Sequence, residues 1–188
     1  MNILADLKNI ISRIFFIQWL SIIITGIIFL SLNCMSLEER EAIYGSNTPI
    51  IEATFAKNKI ISGDTWKIYI NASDQDGDMK ALACNIYQDG IYTHPLDIIK
   101  IKEDQKKKLS GYIYLATEAF QNLWGVNVEL HLNIFDYAGH WSDTTIIKMK
   151  FGSRKSKKEA DKNLFTERSL GAILIKLVNP SVYDAGRS

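Results

Sequence analysis

The chain has 188 residues, of which 47% are hydrophobic and 23% are charged, and its 22 basic and 21 acidic side chains leave a net charge of +1. This balance excludes a strongly basic nucleic-acid-binding protein, the 11 glycines and three prolines exclude a collagen-like chain, and two cysteines are too few for a disulfide framework. The charge is unevenly distributed, because residues 1–33 carry a net +1, residues 34–150 a net −4 and residues 151–188 a net +4. The sequence therefore predicts three segments of different character.

The first segment contains a long uncharged run that indicates export. No charged residue lies between Ile14 and Leu37, and this length is sufficient to span a bilayer as a hydrophobic helix. Lys8 and Arg13 precede the run and acidic residues follow it, so the positive-inside rule places the amino terminus in the cytoplasm and the remainder outside. We expect the folded part to lie in the bacterial cell envelope, on the non-cytoplasmic side of a membrane.

The end of this run resembles the signal of a bacterial lipoprotein. The stretch Leu30-Ser31-Leu32-Asn33-Cys34 is similar to the leucine-containing motif that precedes a lipidated cysteine. The resemblance implies that Cys34 is the lipidation site and the new amino terminus. An uncleaved signal anchor is the open alternative, because the apolar run is longer than that of most cleaved signals. Either outcome tethers the protein to the membrane.

The middle of the chain shows the alternating hydrophobic pattern of half-buried strands. Turn residues separate the runs, and Cys84 falls within one of them as a small buried hydrophobe. The pattern predicts seven strands in about 100 residues, which is typical of an antiparallel two-sheet sandwich. The runs are Ile51–Phe55, Trp66–Ala72, Leu82–Ile86, Leu96–Ile101, Gly111–Thr117, Val126–Ile134 and Thr145–Phe151.

These patterns divide the chain into four regions. Residues 1–33 form the signal peptide or membrane anchor, residues 34–48 a polar spacer, residues 49–151 the sandwich, and residues 152–188 a basic linker and C-terminal tail. Within the last region, Leu170–Val178 is apolar but too short to span a membrane. It is open whether this stretch is a strand or helix that docks on the sandwich, or a strand that binds a partner.

Three short motifs resemble the bacterial Ig-like group of extracellular sandwich domains, which includes fibronectin-type and PKD-like modules. They are the stretches at residues 63–66 (GDTW), 72–79 (ASDQDGDM) and 136–142 (DYAGHWS). The resemblance covers residues 48–151. It implies a seven-stranded antiparallel Ig-like β-sandwich, here preceded by the N-terminal hydrophobic helix.

Acidic residues are concentrated in two loops that an Ig-like topology brings to the same end of the sandwich. Asp74, Asp76 and Asp78 follow the second predicted strand, and Asp136 follows the sixth. Oxygen-rich clusters suit Ca²⁺, although the spacing is not that of an EF-hand. Two interpretations are open. The four residues form a calcium site, or they belong to a solvated turn whose backbone conformation Asp and Gly favour. The lysine run at residues 106–108 is expected at the same end as a counter-charge.

A second candidate feature is the group Tyr137, His140 and Trp141 in the loop after the sixth strand. Aromatic loop residues are common at protein interfaces and carbohydrate sites, while sheet packing is the alternative role for aromatic side chains. Ser142, His140 and Asp143 lie too close in sequence for a catalytic triad, and the chain has none of the common catalytic or nucleotide-binding motifs. We therefore expect no enzyme.

The sequence as a whole predicts a membrane-tethered, non-catalytic binding or structural module of the envelope. Its expected partners are the membrane, through the N-terminal segment, and an envelope protein or polysaccharide, but no nucleic acid. The alternative is a signal-anchored accessory subunit that docks on a larger envelope complex. No cofactor is expected, and a calcium ion at the acidic loops is the open alternative.

Overall fold

The structure, a computed structural model, describes residues 18–19, 35–90, 93–119 and 122–179. The chain divides into two units, Met1–Glu39 and Arg40–Ser188. Cys34 and nearly all of the predicted export segment lie outside the described residues, so lipidation and the N-terminal hydrophobic helix stay predictions. Within the described ranges, the helices are too short or too polar to cross a membrane.

β-Strands are the main regular secondary structure of the second unit. One short helix, α1 (Leu37–Tyr44), leads into it, and a 3₁₀ turn covers Glu103–Gln105. The strands are β1 (Ile50–Ala56), β2 (Lys59–Ile60), β3 (Thr65–Ser73), β4 (Met79–Gln88), β5 (Asp97–Lys100), β6 (Lys108–Ala116), β7 (Asn127–Asp136), β8 (Thr145–Phe151) and β9 (Ser169–Ala172).

The strands form two sheets that enclose one hydrophobic core. The first sheet has the order β1-β3-β6-β9 and the second the order β2-β8-β7-β4-β5. Alternate residues of the central strands point inward: in β7, Val128, Leu130, Leu132 and Ile134 are all fully buried. Period-two alternation buries one face of each strand against the other sheet. This is the Ig-like β-sandwich that the sequence predicts.

The predicted count of seven strands and a purely antiparallel arrangement are wrong in detail. All seven predicted runs are strands, but the described residues contain nine strands, and the two additional ones, β2 and β9, pair in parallel with β8 and β6. β2 has only two residues, which is too short to show a period. β9 follows a long polar stretch and has no alternating pattern of its own.

The segment after Phe151 differs from the linker and tail that its charge suggests. Ile173 and Leu177 belong to the buried core, and Phe165 is buried beside Tyr69. β9 continues the first sheet beside β6. Of the alternatives left open by the sequence, the structure shows a strand docked on the sandwich. The basic residues of this segment are exposed, and only some of its apolar residues are buried, so its average composition did not reveal the packing.

The core itself is closed by large aliphatic and aromatic side chains. Trp66 is fully buried and donates a hydrogen bond from Nε1 to the Lys57 carbonyl at 3.0 Å. Cys84 is buried as predicted, and burial raises the pKa of its thiol to about 12. The thiol is therefore kept in its neutral, unreactive form.

Glu167 in the C-terminal segment is expected to contribute stability that disappears in acid. It accepts a hydrogen bond from the Tyr69 hydroxyl at 2.6 Å and pairs with Lys67 at 3.0 Å, and these contacts, the tyrosine first, lower the pKa of Glu167. A carboxyl whose pKa is lowered by folding stabilises the protein above its unfolded pKa and loses this contribution as the pH falls through the folded value.

Glu167→Gln should therefore lower the free energy of unfolding at neutral pH by less than about 1 kcal/mol, because the pair is solvent-exposed. The difference from wild type should begin to shrink as the pH falls below the unfolded carboxyl pKa of about 4.3, and it should vanish below the lowered folded pKa. Chemical denaturation at a series of pH values measures it, and a difference that persists unchanged at pH 3 would refute this role of the carboxylate.

Candidate functional site

Three loops meet at one end of the sandwich, as the Ig-like topology predicts. The β3–β4 loop is joined to the β5–β6 loop by hydrogen bonds from Asp74 N to Lys107 O (3.0 Å) and from Met79 N to Lys106 O (3.3 Å). It is joined to the β7–β8 loop by the bond from Tyr137 N to Asp78 O at 3.2 Å. These bonds fix the relative positions of the acidic residues in the loops.

Asp74 is held by a tight turn that its own side chain stabilises. Its Oδ1 accepts hydrogen bonds from the backbone N–H groups of Asp76 (2.8 Å) and Gly77 (3.1 Å). Gly77 adopts a φ of +79°, a conformation that glycine allows at little cost. Asp74 and Gly77 therefore stabilise the backbone turn, but Oδ2 of Asp74 is buried without a hydrogen-bond partner.

Asp78, directly before β4, and Asp136, the last residue of β7, both lie close to Asp74. Oδ2 of Asp78 accepts from the N–H groups of Tyr137 (3.2 Å) and Ala138 (3.3 Å), while its Oδ1 is buried without a hydrogen-bond partner. Asp136, which is only 1% exposed, accepts from the His140 N–H at 2.8 Å. One carboxylate oxygen from each of the three residues lies within 4.8 Å of the other two.

The close packing of three buried carboxylates has an electrostatic cost. Burial, followed by the neighbouring carboxylates, raises the pKa of both Asp74 and Asp78. In the part of the chain that the structure describes, no lysine or arginine forms an ion pair with any of the three. The arrangement concentrates negative charge and leaves two buried oxygens unsatisfied, which is unfavourable unless a cation binds.

Asp76, the fourth residue of the predicted calcium site, is directed away from this cluster. It is exposed and accepts hydrogen bonds from the backbone N–H (2.7 Å) and Nδ2 (2.8 Å) of Asn47. These bonds lower the pKa of Asp76. The structure thus brings together Asp74, Asp78 and Asp136, whereas the Asp76 side chain contacts Asn47 in the segment that leads into β1.

His140 links the cluster to helix α1. Its Nδ1 lies 2.9 Å from Asp136 Oδ2, and its Nε2 lies 2.8 Å from Glu41 Oε1. These two carboxylates, Glu41 first, raise the pKa of His140. The histidine therefore orients Asp136, in the way that an outer-shell partner orients a metal ligand.

Two residues of α1 complete the surroundings of the cluster, and sequence reasoning did not identify them. Glu41 holds His140, and the guanidinium of Arg40 lies against Gly139, where a Cβ would come within 2.8 Å of Arg40 Nη1. Gly139 also has a φ of +105°, so this turn requires glycine for two reasons. Both α1 residues lie in the segment assigned to the spacer, and a short EER run cannot be distinguished there from ordinary polar linker sequence.

The predicted binding residues Tyr137, His140 and Trp141 do not form one surface. Tyr137 stacks on Tyr44 at a centroid distance of 5.5 Å and lies beneath Lys106 Nζ at 4.3 Å. Trp141 is 52% exposed, stacks on Phe135 and borders a groove beside the first residues of β1. His140 is directed into the carboxylate network.

The lysine run lies at the predicted end but does not neutralise the cluster. Lys106 pairs with Glu103 at 2.8 Å, and the side chain of Lys107 lies beside Gly77. The counter-charge role that the sequence suggests for these lysines is not seen toward the three buried carboxylates. A cation from solution is therefore a better match for the site than a lysine of the chain.

The Ser, His and Asp side chains at 140–143 are not arranged as a catalytic triad. The buried Ser142 Oγ accepts from Ile134 N at 2.9 Å and donates to the Asp143 carbonyl at 3.1 Å. Both ring nitrogens of His140 face carboxylates. The hydroxyl therefore has a structural role between β7 and the following loop.

No protein-family model matches the chain, and no curated protein matches its sequence. Among solved structures it is similar to the PKD domain of an M14-like peptidase from a Thermoplasmatales archaeon, with 12% identity, a TM-score of 0.36 and coverage of 57% of this chain and 100% of that domain. It is also similar to fibronectin(III)-like modules of Clostridium thermocellum CbhA, with 17% identity, a TM-score of 0.31 and coverage of 62% of this chain and 53% of that one.

A third similar structure is the CARDB domain of a Pyrococcus furiosus protein in complex with di-metal ions, with 5% identity, a TM-score of 0.31 and coverage of 56% of this chain and 87% of that domain. All three domains are Ig-like sandwiches. The sheet orders and strand pairings of this chain, taken by themselves, define a two-sheet Ig-like β-sandwich.

Proposed function

We propose that this protein is a non-catalytic Ig-like module, tethered on the outer side of a bacterial membrane by its N-terminal segment and stabilised by a calcium ion at Asp74, Asp78 and Asp136. The observation that carries the proposal is the pair of buried, unpartnered carboxylate oxygens, Asp74 Oδ2 and Asp78 Oδ1, within this cluster. Buried polar atoms nearly always have partners, so their lack of one in the protein alone points to a bound cation.

The donor set favours calcium over other metals. It consists of carboxylate oxygens, and the one nearby imidazole is occupied by hydrogen bonds to Asp136 and Glu41. Zinc sites use sulfur and nitrogen donors as a rule, and magnesium usually keeps several waters and takes only one or two carboxylates. Calcium accepts 6–8 oxygens with flexible geometry, so three buried carboxylates supply a suitable part of its shell.

Such an ion would stabilise the fold and would take no part in catalysis. It would join the β3–β4 loop to the end of β7, because its ligands come from both, and it would offset the repulsion among the three carboxylates. The engagement of His140 and Ser142 in structural hydrogen bonds supports the non-catalytic assignment.

Calcium titration by isothermal calorimetry tests the metal site. The full-length protein, in nonionic detergent and stripped with chelator, should bind one ion per chain. Asp78→Asn should abolish the heat of binding, while Asp76→Asn, in the same loop but bonded to Asn47, should retain it. Equal loss in the two variants, or no binding by wild type, would overturn the proposal.

The tether is tested by lipid labelling of Cys34→Ser against wild type. A lipoprotein incorporates labelled fatty acid at this cysteine, and the variant should incorporate none. Labelling that is unchanged in the variant contradicts lipidation at Cys34. An unlabelled wild-type protein that stays in the membrane fraction favours the alternative proposal, a signal-anchored accessory subunit of a larger envelope complex.

A further inference from the structure

A second cavity lies at the end of the sandwich opposite the acidic cluster, where β7 begins and β8 ends. Its volume is about 470 Å³. Its charged lining residues are Lys59, Lys150 and Arg154, with no acidic residue among them. The size falls within the range of ordinary ligand sites, about 300–1,000 Å³.

The positive charge of this cavity is uncompensated. Lys59 and Lys150 are register partners on β2 and β8, and like charges directly opposite on neighbouring strands are destabilising. Among the ion pairs of the described residues, none includes Lys59, Lys150 or Arg154. An anion bound between them would relieve this repulsion.

Backbone hydrogen bonds fix the positions in the chain that carry Lys59 and Lys150. Lys150 N donates to the Asn58 carbonyl at 3.0 Å, and Ser156 N donates to the Lys59 carbonyl at 3.0 Å, so the backbone on both sides of β2 is fixed. In the neighbouring cavity the comparable lysines are neutralised: Lys57 pairs with Glu159, and Lys155 pairs with Asp64. The lack of acidic partners is therefore a local property of this site.

An exposed aromatic ring forms one wall of the cavity. Trp124 is 72% exposed, although burial of its large apolar surface would be favourable. Gly125 and Gly152 lie on the floor, where added Cβ atoms would meet nothing within 4 Å and only the Arg154 carbonyl at 3.9 Å, respectively. A flat ring can therefore approach both the indole face and the backbone.

We propose that this cavity binds an acidic polysaccharide, with a sugar ring against Trp124 and its carboxylate or phosphate groups between Lys59, Lys150 and Arg154. The guanidinium of Arg154 suits planar bidentate contacts to such anions. A simple anion would use the cations but not the indole, whereas a neutral sugar would use the indole but not the cations. The assignment adds a ligand class to the tethered, non-catalytic module proposed above, and it does not depend on the calcium site.

The test uses the full-length protein in nonionic detergent and hexagalacturonate as the probe, with binding measured by calorimetry. Wild type should bind the probe, and the fully methyl-esterified, neutral form should bind at least about tenfold more weakly because the ion pairs are lost. Binding of the acidic probe should also weaken as the salt concentration rises. Absence of binding, or equal binding of the neutral form, would overturn the proposal.

Matched variants locate the site. Lys59→Gln/Lys150→Gln should weaken binding about tenfold. The control Lys107→Gln/Lys108→Gln removes the same charge at the other end of the sandwich and should change affinity less than twofold. Circular dichroism verifies that both variants fold. An equal loss in the control would show a general charge effect and contradict a site at this cavity.

The indole distinguishes a saccharide from other anionic ligands. Trp124→Ala should weaken hexagalacturonate binding about tenfold, whereas Trp141→Ala, at the other end, should leave it unchanged. Hexagalacturonate bound equally well by wild type and Trp124→Ala would refute the polysaccharide assignment. Binding of phosphatidylglycerol vesicles through the same lysines, without any binding of the saccharide, would refute it as well. The titrations are repeated in chelator, so a failure of this site is separable from a failure of the calcium site.

Discussion

Saturating calcium is expected to raise the midpoint of thermal unfolding by about 5–10 °C. A ligand at 100 times its dissociation constant stabilises the folded state by about 2.7 kcal/mol, and each kcal/mol corresponds to about 2–4 °C for a chain of this size. Near-ultraviolet circular dichroism follows the transition, because Trp66 and the other core aromatics lose their fixed environment on unfolding. The shift should require Asp74, Asp78 and Asp136.

Asp78→Asn should have opposite effects with and without the ion. In chelator at neutral pH the variant should be more stable than wild type, because it removes one of three mutually repelling carboxylates. With calcium it should be less stable than wild type and should show no shift. Asp76→Asn serves as the control, since its calcium-dependent shift should equal that of wild type. A calcium response that survives in Asp78→Asn would contradict the site.

The same residues set the pH dependence of the calcium-free protein. Folding raises the pKa of Asp74 and Asp78, so the folded state holds their protons more tightly than the unfolded state. The resulting contribution to stability is fully present below their unfolded pKa, near 4, and is lost as the pH rises through the folded values. The advantage of Asp78→Asn in chelator should accordingly grow as the pH rises from 4 to 7, and a constant advantage would contradict this cause.

The second large effect is expected in the C-terminal segment. Ile173 is buried and its N–H donates to the Tyr114 carbonyl at 2.8 Å, whereas the adjacent Leu174 is 83% exposed. Ile173→Ala removes buried methyl and methylene groups and leaves a cavity, which costs about 2–5 kcal/mol. Leu174→Ala should change the free energy of unfolding by less than about 0.5 kcal/mol.

Urea unfolding of the two single variants measures this difference. The expected result is a lower midpoint for Ile173→Ala and an unchanged midpoint for Leu174→Ala. Equal midpoints would show that residues beyond Phe151 do not contribute to the core, and the segment would then be the exposed tail that its charge suggests.

Alternation of hydrophobic residues was sufficient to predict the seven main strands, since a period of two directly determines which face is buried. It could not reveal β2, which has two residues, or β9, which packs through a few apolar residues within a basic segment. The D-x-D-G-D motif identified the acidic loop but not the direction of each side chain. Asp76 accepts hydrogen bonds from Asn47, whereas Asp74 is buried and accepts from the Asp76 and Gly77 N–H groups.

The contribution of α1 to the site was the least predictable feature. Glu41 and His140 are 99 residues apart, and their contact depends on where the helix leaves the end of the sandwich. The cavity at Trp124 was equally hidden, because its cations come from β2, β8 and the segment after Phe151. Such sites are defined by strand register and not by local sequence.

The most direct test of the calcium site is a crystal structure of the protein grown with calcium. We predict one strong density peak with carboxylate oxygens of Asp74, Asp78 and Asp136 at about 2.3–2.6 Å, including the two oxygens that otherwise have no partner. A well-ordered cluster that shows only water or direct carboxyl–carboxyl hydrogen bonds at saturating calcium would contradict the account.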